Sequence, residues 1–384
     1  MAGRASLAFL GQEDVVLSGL PEVTYFIEKY TGATQFAYRV DEIQFQGDYN
    51  TFGGEGYSVL SKSGDLISRL YLKLPMPPVL TAGTPVLNSA GTLMIKYIEL
   101  YIGSQLVERL WGEFIEMMMD LTVPKTKQGA LASLTGKGRT TSLATYTIPI
   151  PFSCIEKGLP ICAIDEDVTV KVVWYPASIF SGVSGAVKFD GVLNVEYTYL
   201  NHREVEYIKK TPQLFIFEQC QRVQFFAPAG LNLVTCPLQL VNAVSEMFIV
   251  IQNSSAQGYD YSTTASPTVN TGTVDQLSSL TLFFNTTERI QPQIGNPMFL
   301  RNIQALEFHT RIPDRLFYMY SFCLDPENPA PSGHVNFSRI PQQSLVVNMN
   351  TSADNRTITV YALNYNFLGF NEGKVTSMFS NFES

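Results

Sequence analysis

Alternation of apolar and polar side chains at every second position is the dominant pattern along this chain. Between Asp65 and Pro75, one face carries Leu66, Leu70, Leu72 and Leu74, and the other carries Ile67, Arg69, Tyr71 and Lys73. A period of two is typical of a half-buried β-strand. The same period recurs in Val168–Trp174, which Pro176 ends, and in Leu193–Tyr199. The pattern therefore predicts a protein built of strands.

Further strands are predicted where β-branched and aromatic residues cluster between loops rich in Gly, Pro and Ser. These segments are Met94–Ile102, Thr145–Phe152, Leu214–Phe226, Met247–Gln252, Leu280–Phe284, Leu316–Leu324, Leu345–Met349 and Thr357–Phe367. So many strands predict an all-β sandwich architecture.

One segment departs from the strand pattern. In Glu108–Leu121, helical spacing relates Leu110, Phe114, Met117, Met118 and Leu121, and Pro124 follows. This spacing predicts a helix with one apolar face. We interpret the methionines at 117–119 as core residues rather than a contact surface, because methionine fills irregular apolar gaps.

Similar strand patterns occur in the same order in both halves of the chain. The run IELYIGSQLVER corresponds to LTLFFNTTER, DVTVKVVW to QSLVVNMN, and GVLNVEYTYL to RTITVYALNYNFL. Repetition in the same order at similar offsets indicates a duplicated unit. The sequence therefore predicts two tandem β-sandwiches, joined by the charged linker Asn201–Gln213, which contains Pro212 near its end.

Length and composition fit this organisation. A chain of 384 residues exceeds the roughly 250–300 residues at which a single hydrophobic core stops growing. Hydrophobic residues make up 45% of the chain and charged residues only 16%, which excludes a disordered protein. So little charge indicates either surface that is buried against neighbouring subunits or a large monomer with extensive cores.

Charge and cysteine content indicate which binding partners and which cellular compartment fit this protein. The net charge is −8 and the basic residues are scattered, so direct binding to nucleic acid is not predicted. The N-terminal run MAGRASLAFLGQEDVV is too interrupted for a secretory signal, and no apolar stretch is long enough to span a bilayer. The cysteines form no CxxC pair and are predicted to be buried thiols in a reducing compartment: Cys154, Cys162, Cys220, Cys236 and Cys323.

No motif indicates enzyme chemistry. The histidines His202, His309 and His334 lack metal-ligand spacing, and no nucleophile elbow, phosphate loop or dinucleotide-binding glycine motif occurs. The acidic triplet Asp165–Asp167 is predicted to be a solvated turn rather than a Ca²⁺ site, because it lacks spaced ligands. We therefore predict no catalytic residue, metal, cofactor or small-molecule substrate.

Asn-x-Ser/Thr triplets occur only in the second half of the chain, beginning at Asn253, Asn285, Asn336, Asn350 and Asn355. Since no secretory signal precedes them, chance occurrence in a β protein rich in Asn and Thr explains them better than glycosylation does.

A proline-broken stretch near the C-terminus resembles a known family. Residues Phe317–Ile340 read FYMYSFCLDPENPAPSGHVNFSRI, an aromatic strand-like run followed by Pro326, Pro329 and Pro331, which cannot donate to a sheet ladder. This stretch resembles the Tyr-Ser-Phe, Pro, Pro-Ser-Gly and Ser-Arg-Ile series of the double jelly-roll major capsid proteins of large eukaryotic DNA viruses. Other parts of the chain resemble that family in the same order, among them SGDLISRLYLKLP, LNVEYTYLNHREVEYIKKTPQLFIFEQCQ and VYALNYNFLGF.

The resemblance implies a structural major capsid protein and not an enzyme. It implies two tandem antiparallel eight-stranded jelly rolls with short helices in the connecting loops. It further implies a homotrimer of nearly hexagonal outline that tiles an icosahedral virion shell, assembled in the host cell interior. The implied partners are neighbouring capsomers, minor capsid and vertex proteins and, indirectly, an inner membrane. The alternatives are a minor or vertex capsid protein of the same fold and a carbohydrate-binding β-sandwich protein.

The predicted domains are an N-terminal arm at residues 1–24, a first jelly roll at 25–206 and a second at 207–384. The arm, from Met1 to about Val23, either contacts neighbours or an inner layer, or forms a free tail. We expect the stretch Phe317–Ile340 to join two late strands of the second jelly roll. The sequence after Phe370 diverges from the usual ending of the family.

Overall fold

The computed structural model describes residues 4–5, 7–9, 11–19, 32–48, 51–75, 87–176, 190–262, 275–371 and 373–379. The chain divides into two compact units, Met1–Gln35 and Phe36–Ser384. In the first unit, helix α1 (Gln12–Ser18) follows Gly11, whose N–H donates to the Asp14 carboxylate at 2.8 Å. The predicted end of the arm, at residue 24, lies outside the described residues.

The first half of the larger unit is a sandwich of two antiparallel sheets. Its strands are β1 (Ala37–Gln44), β2 (Gln46–Gly47), β3 (Glu55–Val59), β4 (Leu66–Pro75), β5 (Ile95–Ile102), β6 (Gln105–Trp111), β7 (Thr145–Pro149), β8 (Val168–Trp174) and β9 (Val192–Tyr199). One sheet has the order β1-β9-β4-β7, and the other has the order β2-β3-β8-β5-β6.

The second half forms another sandwich. Its strands are β10 (Gln213–Ala227), β11 (Leu233–Pro237), β12 (Ala243–Asn253), β13 (Leu277–Phe284), β14 (Thr287–Ile290), β15 (Tyr318–Ser321), β16 (Val335–Asn336), β17 (Gln343–Met349), β18 (Arg356–Asn371) and β19 (Lys374–Ser377). One sheet has the order β10-β18-β12-β15, with β16 on β12 and β19 on β18, and the other has the order β11-β17-β13-β14.

The two sandwiches share one topology. Strands β1, β9, β4 and β7 occupy the places that β10, β18, β12 and β15 occupy in the second sandwich, and β3, β8, β5 and β6 match β11, β17, β13 and β14. In each sandwich the first and last long strands are neighbours, which is the jelly-roll arrangement. The predicted double jelly roll is confirmed, and each of the three segment pairs matched by sequence falls on equivalent strands.

Helices lie in the connections between strands. They are α2 (Ala90–Leu93), α3 (Gly112–Thr122), α4 (Gln128–Thr135), α5 (Ser153–Glu156), α6 (His202–Lys210) and α7 (Gln304–Phe308), with 3₁₀ turns at Lys125–Lys127, Ile161–Ala163 and Phe337–Arg339 and a π-helical turn at Met298–Ile303. Among the described residues, no helix combines the length and the apolar character needed to cross a membrane.

Two details of the predicted elements were wrong. In β4, Ile67 is buried whereas Leu66 is only half-buried, because a bulge between Ile67 and Arg69 changes which face each residue takes. The predicted helix at Glu108–Leu121 begins only at Gly112, since Glu108–Trp111 continue β6 in pairing with β5. Met117 and Met119 are buried and Met118 is half-buried, as expected of core residues.

The predicted linker between the sandwiches contains an exposed helix. Asn201 caps α6, its side chain accepting from the Arg203 N–H, and Lys209 and Lys210 lie in the last turn of the helix. The boundary predicted between residues 206 and 207 falls within this helix. The stretch Phe317–Ile340 runs from β15 through β16 to the connection before β17, so its prediction as a loop between two late strands is confirmed.

The central strands β12 and β18 of the sheet β10-β18-β12-β15 are buried on both faces. On β12, Met247, Ile249 and Ile251 pack into the core of the second sandwich, whereas Phe248 and Val250 belong to the apolar cluster that fills the first sandwich. Residues of β18 likewise contribute alternately to the two apolar clusters. A strand that is covered on both faces is apolar at nearly every position. The two sandwiches therefore meet over a continuous apolar contact rather than at a flexible hinge.

Candidate assembly surfaces

The contact between the two sandwiches contains hydrogen bonds, ion pairs and aromatic contacts. We call it the joint: on the first sandwich it comprises β6, α3 and residues 153–157, and on the second it comprises β10, β12, β18 and residues 309–317. Its apolar centre is aromatic. The Phe114 ring lies 5.8 Å from that of Phe248 and 5.5 Å from that of Tyr361, and the Trp111 ring lies 5.8 Å from Tyr361.

Helix α3 presents three acidic residues to the second sandwich. Glu113, Glu116 and Asp120 are spaced at three and four residues, so they share one side of the helix. Glu116 and Asp120 are fully buried, and each of the three finds partners on the second sandwich. Buried carboxylates are tolerated only when they are paired and hydrogen-bonded, and this requirement fixes how the sandwiches can meet.

Asp120 has a complete set of partners. Its Oδ1 lies 2.6 Å from Lys137 Nζ and 2.5 Å from Arg311 Nη1, and its Oδ2 accepts from the Asp314 N–H at 3.0 Å. Lys137 belongs to the first sandwich, whereas Arg311 and Asp314 precede β15 in the second. One carboxylate thus connects the two halves of the chain.

Glu116 forms the second buried ion pair. Its Oε1 accepts from Arg315 Nη2 at 3.2 Å and from Ser89 Oγ at 2.6 Å, and its Oε2 accepts from Thr92 Oγ1 at 2.9 Å. Arg315 also donates to the backbone oxygen of Tyr259 at 2.8 Å, from the second sandwich. The pair is therefore held from both sides of the joint.

Glu113 completes the acidic row with two tyrosine hydroxyls. Tyr261 donates to its Oε1 at 2.9 Å and Tyr361 to its Oε2 at 2.5 Å. Burial and the adjoining Glu113 carboxylate raise the pKa of both tyrosines, so their hydroxyls stay protonated and donate. The Arg222 guanidinium lies over the rings of Trp111 and Tyr361 at 5.6 and 5.7 Å.

At the other end of the joint, edge strand β10 bonds to the first sandwich. Gln219 Nε2 donates to the Val107 oxygen on β6 at 2.5 Å. Lys157 Nζ donates to the Ile216 oxygen at 2.6 Å and to the Pro329 oxygen at 3.0 Å. The proline-broken stretch thus contacts the first sandwich directly.

A buried histidine stabilises the second sandwich beside the joint. His309 Nε2 lies 2.6 Å from Glu246 Oε1, and its Nδ1 lies 3.2 Å from Glu327 Oε1. Burial lowers the pKa of His309, but the two carboxylates outweigh it and raise the pKa to about 9. His309 therefore carries a positive charge at neutral pH.

Apolar side chains point outward at two places on the larger unit. On the first sandwich, Phe36 and the residues Tyr38 and Val40 of the following edge strand β1 are exposed, with Tyr38 70% accessible. On the second sandwich, the segment before β15 exposes Ile294, Met298, Ile303, Leu306 and Ile312, with Leu306 72% accessible. Contiguous exposed apolar side chains mark surfaces that bind other molecules.

The residues singled out by sequence do not form a chemical site. Asp165, Glu166 and Asp167 are exposed before β8, as predicted, and the Asp165 N–H donates to the Gly373 oxygen at 2.8 Å. His202 and His334 are exposed, and the five cysteines are free thiols, of which only Cys162 is not fully buried. Among the described residues, no three His, Cys, Asp or Glu side chains gather to hold a metal ion.

The asparagine triplets occupy unlike environments. Asn253 is buried and its Oδ1 accepts from Gln276 Nε2 at 3.0 Å, whereas Asn285 takes a positive φ of 56° in the turn between β13 and β14. Asn355 is exposed, and its side chain accepts from the Ala229 N–H at 2.9 Å. The side chains of Asn253 and Asn355 are thus engaged in holding local structure.

The joint itself was not predicted. Glu113, Glu116 and Asp120 were part of the segment recognised as a helix, but only its apolar face was considered. The available signal was an acidic row at helical spacing in a chain with little charge. Their partners on the second sandwich lie more than a hundred residues away along the chain, and no local pattern links the two sets.

Two family models match the chain. The model described as "Major capsid protein N-terminus" matches residues 24–194, and the one described as "Large eukaryotic DNA virus major capsid protein" matches residues 204–376. The matches fall on the first and second sandwich respectively.

Curated relatives match along the whole chain. The major capsid protein of Pyramimonas orientalis virus is 27% identical, with 99% of each chain covered. The major capsid protein of Paramecium bursaria Chlorella virus 1 is 22% identical, with 97% of this chain and 98% of the relative covered.

Solved structures have the same fold. A quasi-atomic model of the PBCV-1 virus capsid superposes with a TM-score of 0.82 at 18% identity, covering 93% of this chain and 100% of that chain. The Faustovirus major capsid protein superposes with a TM-score of 0.74 at 12% identity, covering 96% of each chain.

Proposed function

The chain belongs to the family of large eukaryotic DNA virus major capsid proteins, and on that premise we propose that three copies form a capsomer of nearly hexagonal outline. As a member of this family it is a structural component of the virion capsid and not an enzyme. Family membership also favours the capsid over the alternative of a carbohydrate-binding sandwich protein.

The observation that carries the trimer proposal is the rigid joint between two sandwiches of equal topology. A trimer of single sandwiches has three repeated sides, whereas three doubled chains supply six lateral surfaces under closed threefold symmetry. Six equivalent surfaces require that the two sandwiches of each chain keep a fixed orientation relative to each other. The acidic row of α3, paired with Arg311, Arg315 and Tyr361, supplies that fixed relation.

We assign the contacts between copies within the trimer to the two outward apolar patches, one around Tyr38 on β1 and one around Leu306 before β15. A cyclic trimer needs two different patches that meet between neighbouring copies, and these lie on different sandwiches. Stable interfaces bury about 1,200–2,000 Å² in total, and their centres are apolar. A low charged fraction of 16% accords with surface of this kind.

The proposal also includes the molecules that the capsomer contacts. We propose that capsomers contact one another to tile an icosahedral shell, that minor capsid and vertex proteins bind them, and that any contact with an inner membrane is indirect. The division into an arm at 1–24, a first jelly roll at 25–206 and a second at 207–384 remains a prediction. The two family models support it, because their matches separate between residues 194 and 204. Contact between the arm and neighbouring copies or an inner layer is part of the same proposal.

Light scattering of the purified chain coupled to size-exclusion chromatography tests the proposal. We expect a trimer, and negative-stain images should show particles of hexagonal outline. Leu306→Glu should shift the protein towards monomers, whereas Glu307→Gln, on the same short helix, should leave the trimer intact. A stable wild-type monomer would contradict the proposal. A low copy number in purified particles would favour a minor or vertex protein.

A further inference from the structure

Two carboxyl groups face the joint without an ion-pair partner among the described residues. Glu108 on β6 is fully buried; its Oε1 accepts from the Ser153 N–H at 3.1 Å, and the N–H and thiol of Cys154 also act on its carboxyl group. Glu218 on β10 accepts at Oε1 from Ser245 Oγ at 3.1 Å. The first carboxyl belongs to the first sandwich and the second to the second sandwich.

Ser153 connects the backbone of one strand to the carboxyl of the other. Its N–H donates to Glu108, and its Oγ accepts from the Glu218 N–H at 2.9 Å. Residues 218, 220 and 222 of β10 pair with 365, 363 and 361 of β18, and Cys220, Leu363 and Tyr361 all belong to the apolar cluster of the first sandwich. Phe217 of the same strand also belongs to that cluster, so β10 contacts the first sandwich on either side of Glu218 along the chain, which places Glu218 at the joint.

The other ionisable groups around the two carboxyls are mostly acids or thiols. Those that act on Glu218 or Glu108, or on the thiols between them, are Cys154 and Glu156 on α5, Lys157 after it, Cys220 and Arg222 on β10, Glu246 on β12, Cys323 after β15 and Tyr365 on β18. Glu246 is itself paired with His309. Lys157 is the nearby ammonium, and its Nζ is already engaged with two backbone oxygens, while burial lowers its pKa.

Burial disfavours the ionised form of both carboxyls. It raises the pKa of Glu218 to about 7, with Glu246 adding to the rise and the Ser245 hydrogen bond opposing it. Burial likewise raises the pKa of Glu108 well above its ordinary value, with Glu156 adding to the rise and the hydrogen bonds from Ser153 and Cys154 opposing it. Both groups are thus neutral at mildly acidic pH and acquire charge inside the joint as the pH rises.

We propose that this end of the joint is a pH-sensitive contact, which holds the sandwiches together while Glu108 and Glu218 are neutral and loosens when they ionise. Ionisation places negative charge on both sides of a contact that already contains Glu156 and Glu246. The chain is accordingly most rigid at mildly acidic pH, and its two sandwiches become less tightly coupled towards alkaline pH. The inference concerns a single chain and does not depend on its oligomeric state.

The direction of the effect follows from linkage. A carboxyl whose pKa is higher in the folded than in the unfolded chain contributes stability that is complete below the unfolded value of 4.5. This contribution is lost as the pH rises to the folded value of about 7 for Glu218. His309, with a raised pKa of about 9, acts mainly at higher pH. The window from about pH 5 to about pH 6.5 therefore isolates the carboxyls.

Urea unfolding of the full-length protein across that window tests the proposal. The wild-type midpoint should fall as the pH rises, and Glu218→Gln, which keeps an acceptor for Ser245 but cannot ionise, should reduce the fall. The exposed Glu288→Gln on β14 is the matched control and should behave as the wild type does. Quenching of Trp111 fluorescence by acrylamide, measured without urea, should rise with pH in the wild type more than in Glu218→Gln.

Proton release supplies a measurement that needs no variant. Unfolding of the wild type near pH 6 should release protons, about one of them from Glu218, because the folded chain binds protons that the unfolded chain does not. A wild-type midpoint that stays level or rises between about pH 5 and about pH 6.5 would overturn the proposal. So would unfolding without proton release, or a fall in midpoint that Glu218→Gln retains in full.

Discussion

Arg311 Nη1 of the second sandwich lies 2.5 Å from Asp120 Oδ1 on helix α3 of the first sandwich. Both side chains are largely buried, and Lys137 shares the same carboxylate oxygen. A buried charge that loses its counterion costs far more than the pair contributes when it is intact. The pair therefore favours the one arrangement of the two sandwiches in which Arg311 and Asp120 meet.

Asp120→Ala should destabilise the protein strongly, because it leaves Arg311 and Lys137 buried without their shared partner. We expect a loss of about 3–5 kcal/mol in the free energy of unfolding, measured by urea denaturation. Glu42→Ala, which removes the exposed ion pair with Lys73, is the control and should cost within about 0.5 kcal/mol. Equal effects of the two substitutions would contradict the importance assigned to Asp120.

The fold could be predicted from the sequence, whereas the contacts of the joint could not. Strands such as Val168–Trp174 have one buried face, so their alternation is visible in the sequence. Strand β1 is absent from the predicted strands because Tyr38 and Val40 alternate with Arg39 and Asp41 over only four residues, and Glu42 then interrupts the apolar face. Asp120 and Arg311 were missed for another reason: an acidic residue on a helix looks the same in sequence whether solvent or a distant arginine faces it.

The duplication was detectable because the matching segments kept their order. Equivalent strands such as β5 and β13 have similar patterns since they occupy the same place in the same topology. Burial on both faces of β12 was not predicted, although the run Met247–Ile251 is apolar throughout. An apolar run of this kind also fits a strand buried within one large core. Only the packing of the second sandwich on the first shows that β12 lies between two cores.

Substitution of the buried histidine should change stability in a pH-dependent way. The pKa of His309 rises to about 9 from an ordinary 6.5, so its stabilising contribution is complete below 6.5 and is lost as the pH rises through 9. His309→Gln should therefore lower the free energy of unfolding near pH 6, by an amount on the order of 3 kcal/mol, and have much less effect near pH 10. Urea denaturation at both pH values measures the difference.

The exposed His202 provides the control for that experiment. It lies on α6, and its side chain is 85% accessible beside Glu206. His202→Gln should change stability by less than about 0.5 kcal/mol at either pH. If His309→Gln cost the same at both pH values, the loss would reflect packing rather than the charge of the imidazolium.

Replacement of Pro329 should impair the assembly of trimers and shells more than any binding of a ligand by the chain. Its ring restricts the loop after β15, and its carbonyl accepts from Lys157 of the first sandwich at 3.0 Å. Pro329→Ala makes the loop more flexible, so this contact and the surface around it should be less well ordered. We expect fewer trimers and shells by light scattering and electron microscopy, and normal amounts of both would contradict the assignment.

Gly112→Ala tests whether the joint depends on the position of α3. Gly112 is the first residue of that helix, and a Cβ there would lie 2.3 Å from the Ile95 oxygen and 2.4 Å from the Thr92 oxygen. Both atoms are backbone, so the helix itself must shift, and Glu113 and Glu116 shift with it. We expect a loss of about 1–3 kcal/mol despite the better helix propensity of alanine.

Gly129→Ala is the matched control for the glycine at the start of α3. Gly129 is exposed on α4, and a Cβ there would meet no atom within 4 Å. The substitution should be neutral or stabilising by about 0.5–1 kcal/mol, because alanine restricts the unfolded chain. Urea denaturation measures both variants, and Trp111 fluorescence should change only in Gly112→Ala, since that ring stacks at the joint. If Gly112→Ala were as stable as Gly129→Ala, close backbone packing would not be what positions the acidic row of α3.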